Sequence, residues 1–180
     1  ATNIPSAVQE SFYQLRTGRP RPVEIEIPPE ALAELAAVDT YQPADIPYPP
    51  IDGGAIEEAA EVIAGSKNPV IWAGGGIHSS GASDELLKLA EYLQIPVLST
   101  PEGKGAISDR HYLSLGTPQG RSSGESKDPL RDFFYTCDVV LAVGTRFATA
   151  HATSSQKVVQ IDVDPEEIGR NNQNTIGIEG

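Results

Sequence analysis

The chain has 180 residues, of which 39% are hydrophobic, so it can form one compact domain with a buried core plus additional segments. Its net charge of −12 argues against a nucleic-acid partner, because phosphate contacts require clustered Lys and Arg. The sequence shows no signal peptide and no apolar run near the roughly 20 residues of a membrane span. Its single cysteine, Cys137, excludes an internal disulfide and suggests a reducing compartment. We therefore expect a cytoplasmic protein.

The N-terminal third carries a helix, a strand and a linker. Apolar residues from Ile4 to Leu15 fall on one helical face, and Gly18 can end that helix. The alternation in residues 23–27 predicts a strand, which Pro28 and Pro29 stop. Four prolines between Tyr41 and Pro50 predict an extended, semi-rigid linker, and we place a domain boundary there.

After the linker, helical and strand patterns alternate. Helices are predicted over residues 54–64, from Ser83 to Leu93 and over 130–137, and strands over residues 70–73, 96–99, 139–143 and 158–161. This alternation predicts an α/β fold with a parallel, doubly wound sheet and helices on both faces. Ligands of such sheets bind beyond the carboxyl ends of the strands, where this sequence is rich in Gly and polar residues.

The first candidate site is the glycine triplet Gly74–Gly76, at the carboxyl end of the first of these strands. Glycines there let the backbone turn sharply and approach a ligand closely, and a following helix would offer free N–H groups to a phosphate. The triplet lacks the G-x-G-x-x-G spacing of dinucleotide sites, and a tight turn without a ligand explains it equally well.

Two further loops carry a cation each. Lys104 lies between Gly103 and Gly105 and could bind a phosphate, although a flexible surface loop with a solvated lysine is the alternative. Arg146 follows the strand over 139–143 and could fork to a phosphate or stack on a planar ring. For Arg146 taken alone, a surface ion pair is the favoured interpretation in so acidic a chain.

Asp162 and Asp164 bracket the end of the last predicted strand. A carboxylate there can accept ribose hydroxyls or an adenine amino group, whereas the simpler interpretation is that Asp164 caps a following helix that begins at Pro165. Both can hold if Asp162 binds and Asp164 caps. The three histidines have no metal-ligand spacing, and Cys137 and Trp72 are predicted to be core residues.

Together these segments resemble the central domain of thiamine-diphosphate-dependent enzymes, the group of acetolactate synthases, pyruvate oxidases and 2-oxo-acid decarboxylases. Six pieces match in order and cover most of the chain. They are Arg19–Val23 with Ile25–Pro28, Pro69–Gly76, Leu89–Val97, Gly103–Ala106, Asp138–Phe147 and Ile161–Arg170. The resemblance implies a Rossmann-like sheet of the kind that also serves NAD-dependent deacylases.

The resemblance also implies a domain plan. Residues 1–30 would end a preceding pyrimidine-binding domain, residues 31–50 would be the interdomain linker, and residues 51–180 would be the central domain. The family's catalytic glutamate would lie upstream of Ala1, and its diphosphate and magnesium motif downstream of Gly180. We therefore expect a fragment that is inactive alone, whose parent transferase or lyase binds thiamine diphosphate and magnesium through other domains and assembles as a homodimer or homotetramer.

By the same resemblance, flavin-containing members imply a set of FAD-facing positions here. These are Gly74, Gly75, Gly76, Thr100, Gly116, Gly144, Thr145, Arg146, Asp162 and Val163. Acetolactate synthases carry Met-His where Thr117 and Pro118 stand, and acidic residues where Ala148 and Thr149 stand. Whether FAD, ADP or no ligand is bound therefore stays open, and the chain itself supplies no catalytic or metal residue.

Two other functions remain as alternatives. One is a stand-alone, regulatory nucleotide-binding module without thiamine chemistry, since the fold alone does not decide function. The other is a catalytically dead scaffold. The helix, strand and Pro-rich linker before residue 50 favour the enzyme fragment, because a self-sufficient module has no need of a helix and strand without a sheet partner.

Overall fold

The computed structural model describes residues 1–43, 45–46, 50–118, 128–173 and 175–180. The chain divides into two compact units, residues 1–49 and residues 50–180. In the described residues, no helix combines the length and apolar character needed to cross a membrane.

The described residues of the first unit contain two helices. Helix α1 spans Ile4–Arg16 and begins with Pro5 in its first turn, and helix α2 spans Pro29–Ala33. Neither helix contains a buried residue. Residues 23–27 form no strand, contrary to the sequence prediction. Their alternation suits a half-buried strand, but a strand needs a hydrogen-bonded partner, and the described part of this unit has no other strand.

The second unit is an α/β fold, as predicted. Its elements are α3 Gly53–Ala64, β1 Pro69–Ala73, α4 Gly76–Ser80, α5 Ser83–Leu93, β2 Val97–Ser99, β3 Ser114–Gly116, α6 Pro129–Thr136, β4 Val139–Val143, β5 Lys157–Asp162 and β6 Thr175–Glu179. The helices and strands predicted between residues 54 and 161 are all present, with ends shifted by at most one residue. Asp52 caps α3 through the N–H groups of Gly54 and Ala55, and Asp128 caps α6.

The six strands form one sheet in the order β3-β2-β1-β4-β5-β6, and every neighbouring pair is parallel. From β1 the chain moves outward to β2 and β3, and it then returns to the other side of β1 to add β4. The carboxyl ends of β1 and β4 therefore flank the topological switch point, where open parallel sheets form a crevice.

Helices cover both faces of this sheet. On one face, Ile71 and Ala73 of β1 pack with buried residues of α3, α4 and α5. On the other face, Val70 and Trp72 pack with Phe134 of α6. Successive residues of one strand thus serve opposite cores, which is why the central strands are almost wholly apolar.

The helix predicted after Asp164 is absent, and residues 165–169 form turns instead. Asp164 still performs part of the predicted capping role, because its Oδ1 accepts the N–H of Glu166 at 3.1 Å. The buried Gln160 accepts the N–H of Gly169 and donates to the carbonyl of Glu167. Tying the segment to β5 in this way replaces the helical hydrogen bonds that the pattern predicted.

Candidate functional site

All ten predicted ligand-facing residues lie at one edge of the sheet. Each follows, or is the last residue of, one of the five strands β1 to β5, and because these strands are parallel their carboxyl ends share that edge. At about 4.8 Å between neighbouring strands, the edge from β3 to β5 runs for roughly 19 Å. A ligand lying across it would need to be extended.

The loops after β1 and β4 touch through their backbones at the switch point. A Cβ added to Gly76 would lie 2.5 Å from the Cα of Gly144, and one added to Gly74 would overlap the carbonyl oxygen of Gly144. Gly144 itself has a positive φ of 60°. Contact between two loops is therefore enough to explain these glycines, without a ligand.

Two of the three glycine amides of this turn already donate to backbone carbonyls. The N–H of Gly74 donates to the carbonyl of Val143 at 2.8 Å, and the N–H of Gly76 donates to the carbonyl of Gly144 at 2.9 Å. The N–H groups of Ile77 and His78 donate to the carbonyl oxygens of Gly74 and Gly75. The predicted free N–H groups at the start of the following helix are thus engaged, because the chain forms the short helix α4 before α5.

Side chains outside the loop Gly144–Phe147 fix its backbone conformation. The buried Gln160 donates to the carbonyl of Thr145 at 3.2 Å, and Asn171 donates to the carbonyl of Arg146 at 2.9 Å. The Oγ1 of Thr145 accepts the N–H of Phe147 at 3.1 Å. Phe147 has a positive φ of 50° and a ring that is 1% exposed, packed against Trp72 and Phe134. A bulky residue in this left-handed region is strained and needs such support.

Arg146 is the residue that this loop presents to solvent. Its side chain is exposed, and among the described residues its guanidinium has no ion pair and no side-chain hydrogen bond. The surface ion pair that the sequence favoured is therefore absent from the part of the chain that the structure describes. A guanidinium on a fixed loop backbone, without an ion pair among the described residues, is suited to an anionic ligand in a chain of net charge −12.

Asp162 and Val163 form the β5 end of the same edge. Asp162 is 4% exposed, and its Oδ1 accepts the N–H of Asp164 at 3.0 Å. That bond fixes the carboxylate and leaves acceptor capacity for a ligand. Val163 is 37% exposed, so it offers apolar surface beside the carboxylate.

The β2 loop is mainly structural. Thr100 is buried, and both its carbonyl and its Oγ1 accept the N–H of Gly103. Lys104 points to solvent and pairs with Asp109 at 3.3 Å, which supports the surface-loop interpretation of this lysine. Gly116, with φ of 93°, ends β3 with no atom within 4 Å of an added Cβ.

Cys137 and two of the histidines have structural surroundings in the described part of the chain. Burial, with a smaller contribution from the Asp138 charge, raises the pKa of Cys137 to about 11, so its thiol stays protonated at neutral pH. His78 and His111 bond to Lys104 and Glu91. The described residues contain no group of three His, Cys, Asp or Glu side chains arranged to hold a metal ion.

Sequence reasoning missed two residues that shape the site, Gln160 and Asn171. A carboxamide within the apolar run of β5 is a usable signal, because a buried polar side chain must find partners. Asn171 gives no such signal, since it lies among other polar residues.

Comparison with known families places most of the chain in one of them. Residues 56–180 match the family described as thiamine pyrophosphate enzyme, central domain. This match spans the whole sheet and the candidate site.

Three curated relatives match nearly the full chain. An acetolactate synthase large subunit of Methanocaldococcus jannaschii is 38% identical over 98% of this chain, and one of Corynebacterium glutamicum is 33% identical over 99%. A glyoxylate carboligase of Escherichia coli O157:H7 is 33% identical over 94%. The alignments cover 32%, 29% and 30% of these relatives, so the chain spans about a third of their length.

A solved structure shows the same fold. The X-ray structure of a thiamin diphosphate-dependent enzyme from Mycobacterium smegmatis superposes with a TM-score of 0.75 at 19% identity. The superposition covers 99% of this chain and 35% of that one.

Proposed function

The chain belongs to the family of thiamine pyrophosphate enzyme central domains, and from that premise we propose that it is the central domain of an acetolactate-synthase-like enzyme acting on 2-oxo acids. Relatives named acetolactate synthase align with nearly the whole chain, which supports this assignment. Its role in the parent enzyme is to hold an ADP-containing nucleotide, FAD or ADP, at the carboxyl edge of the sheet.

The observation that carries the nucleotide proposal is Arg146. It lies beside the switch point, exposed and without an ion pair in the described residues, on a loop that Gln160 and Asn171 fix. In this arrangement the guanidinium binds the nucleotide phosphates, and the loop backbone that carries it needs no further ordering when the ligand arrives.

The remaining edge residues suit the rest of such a ligand. Asp162 accepts hydrogen bonds from a ribose or from the adenine amino group, and Val163 packs against a planar ring. Gly74–Gly76 and Gly116 offer surface without side chains, along which a long ligand can lie. FAD would supply a pyrophosphate, a ribose and two ring systems to these positions.

Thiamine diphosphate and magnesium bind elsewhere in the parent enzyme under this proposal. Magnesium is held by carboxylates and phosphate oxygens, and the described residues contain no cluster of ligating side chains for it. The proposal therefore separates a nucleotide-holding domain from the domains that carry the chemistry. It predicts no carbon dioxide release above a boiled control when this chain is mixed with pyruvate, thiamine diphosphate and magnesium.

A binding panel tests the proposed function. Isothermal titration of the purified chain with FAD, ADP, NAD and thiamine diphosphate is expected to give saturable heat with FAD or ADP and none with thiamine diphosphate. Binding of thiamine diphosphate alone would contradict the division of roles. Binding of NAD in preference to FAD and ADP would favour the stand-alone nucleotide-binding module instead.

A further inference from the structure

A small cavity lies between β1 and α6, and none of the ten edge residues lines it. It has a volume of about 10 Å³ and is lined by Trp72, Pro118, Arg131, Phe134, Tyr135 and Ala150. Arg131, Phe134 and Tyr135 share one face of α6, because residues three and four apart on a helix are neighbours. A cavity of this size accommodates one oxygen atom or one water molecule.

Trp72 contributes a buried donor that lacks an acceptor in the described part of the chain. The side chain is 5% exposed, and its Nε1–H has no hydrogen-bond partner among the described residues. Its ring packs edge-on against Phe134, with 5.1 Å between the centroids, and against Phe147 at 5.7 Å. Most buried polar groups are paired, so an indole N–H without a partner, on a side chain that lines a cavity, points to an acceptor in that cavity.

Arg131 contributes a charge without a counter-charge. Its side chain is half-buried, and among the described residues no carboxylate lies within ion-pair distance of its guanidinium. The six lining residues include no Asp or Glu, although the chain has 25 of them. The indole and the guanidinium are donors only, and Tyr135 can add a hydroxyl donor.

We propose that this cavity is a binding site for a small carboxylate anion. One carboxylate oxygen enters the cavity and accepts the Nε1–H of Trp72, while the guanidinium of Arg131 pairs with the charge. Phe134, Pro118 and Ala150 favour a compact apolar body on the carbon side of the ligand. None of these residues belongs to the nucleotide edge, so this site is independent of the proposed function.

Trp72 itself reports occupancy, because it is the only tryptophan in the chain. Sodium formate or acetate replaces sodium chloride at constant ionic strength, and the emission of Trp72 is recorded. The expected result is a saturable change in emission that free N-acetyltryptophanamide does not show. A response that is absent, or linear as in the free indole, would overturn the proposal, and a single water would then be the acceptor.

The matched variants are Arg131→Gln and Arg110→Gln. Glutamine keeps part of the arginine stem but removes the charge, and Arg110 lies in an exposed segment before the amino end of β3. Arg131→Gln is expected to raise the midpoint of the titration at least about tenfold, because it removes a hydrogen bond to a charged group. Arg110→Gln is expected to leave the midpoint unchanged. Equal midpoints for the wild type and Arg131→Gln, with circular dichroism confirming that both are folded, would overturn the site.

Discussion

Single glycines determine how closely the two central loops of this domain approach. Gly144 requires glycine for two separate reasons, its left-handed backbone and its contact with Gly76. Gly81 has a similar φ of 70°, but a Cβ there would meet no atom within 4 Å. Substitutions at Gly81 and Gly144 therefore distinguish the cost of a left-handed backbone from the cost of a clash between the two loops.

The first prediction uses that pair. Gly81→Ala is expected to lower the free energy of unfolding by about 1–2 kcal/mol, the cost of a left-handed conformation for an L-residue. Gly144→Ala is expected to cost more, because its Cβ also meets the backbone of Gly76. Urea unfolding of both variants measures the difference, and equal losses would mean that the two loops separate without cost.

Asp138 acts at the opposite edge of the sheet. Its carboxylate accepts the N–H groups of Lys67 at 2.7 Å and Asn68 at 2.9 Å, which joins the start of β4 to the residues before β1. Burial tends to raise the pKa of Asp138, but hydrogen bonds from Lys67, Asn68 and the N–H groups of Asp138 and Val139 outweigh it, so the pKa is lowered.

The second prediction follows from the lowered pKa of Asp138. A carboxylate with a lowered folded-state pKa stabilises the fold above its unfolded pKa, and this stability is lost as the pH falls through the folded value. Asp138→Asn is expected to cost about 1 kcal/mol at pH 7, because the site is partly open to solvent. The cost should shrink below about pH 4, the ordinary range for aspartate. Unfolding free energies of the wild type and variant across this range test it, and a cost that grows on acidification would contradict it.

Among the helices and strands, those with a clear hydrophobic pattern were predicted from the sequence. Five consecutive apolar residues predicted β4 at its observed bounds. Strand β3 has only three residues, Ser114–Gly116, and ends on a glycine, and β6 has Gly177 at its centre, a residue that weakens a strand pattern, so neither strand was predicted. Gly177 is explained by packing against Ile168, which only the folded structure shows.

One wrong prediction, a strand over residues 23–27, shows the limit of a local pattern. Its alternation is clear, but strand formation depends on a partner that a local pattern does not specify. Val23 and Ile25 are 40% and 39% exposed in the structure. Local periodicity therefore predicts which residues prefer an extended chain, and not whether they join a sheet.

The third prediction concerns the stability of these elements. Residues 23–27 have no strand hydrogen bonds, whereas β4 is paired on both sides with β1 and β5. Amide hydrogens of residues 23–27 are expected to exchange far faster than those of residues 139–143, because exchange from β4 requires opening of the sheet. Hydrogen exchange read by mass spectrometry measures both segments. Equal protection in a monomer would show that residues 23–27 are paired after all.

At the scale of the whole molecule, the general geometry of parallel sheets allowed the candidate site to be located from sequence. All ten predicted residues lie at the carboxyl edge because parallel strands end together. The strand order was not predictable, since it depends on which strands pair across long separations. For the same reason, the sequence did not reveal that Gly76 meets Gly144 or that Asn171 supports Arg146.

The central claim is that this edge binds a nucleotide through Arg146, and FAD titration of the arginine variants tests it most directly. Quenching of Trp72 emission by FAD gives the dissociation constant of the wild type, Arg146→Ala and the control Arg110→Ala. Arg146→Ala is expected to weaken binding by about 1.5–3 kcal/mol, the range for a hydrogen bond to a charged group, while Arg110→Ala binds like the wild type. Unchanged affinity in Arg146→Ala, or no binding of FAD or ADP to the wild type at millimolar concentration, would contradict the account.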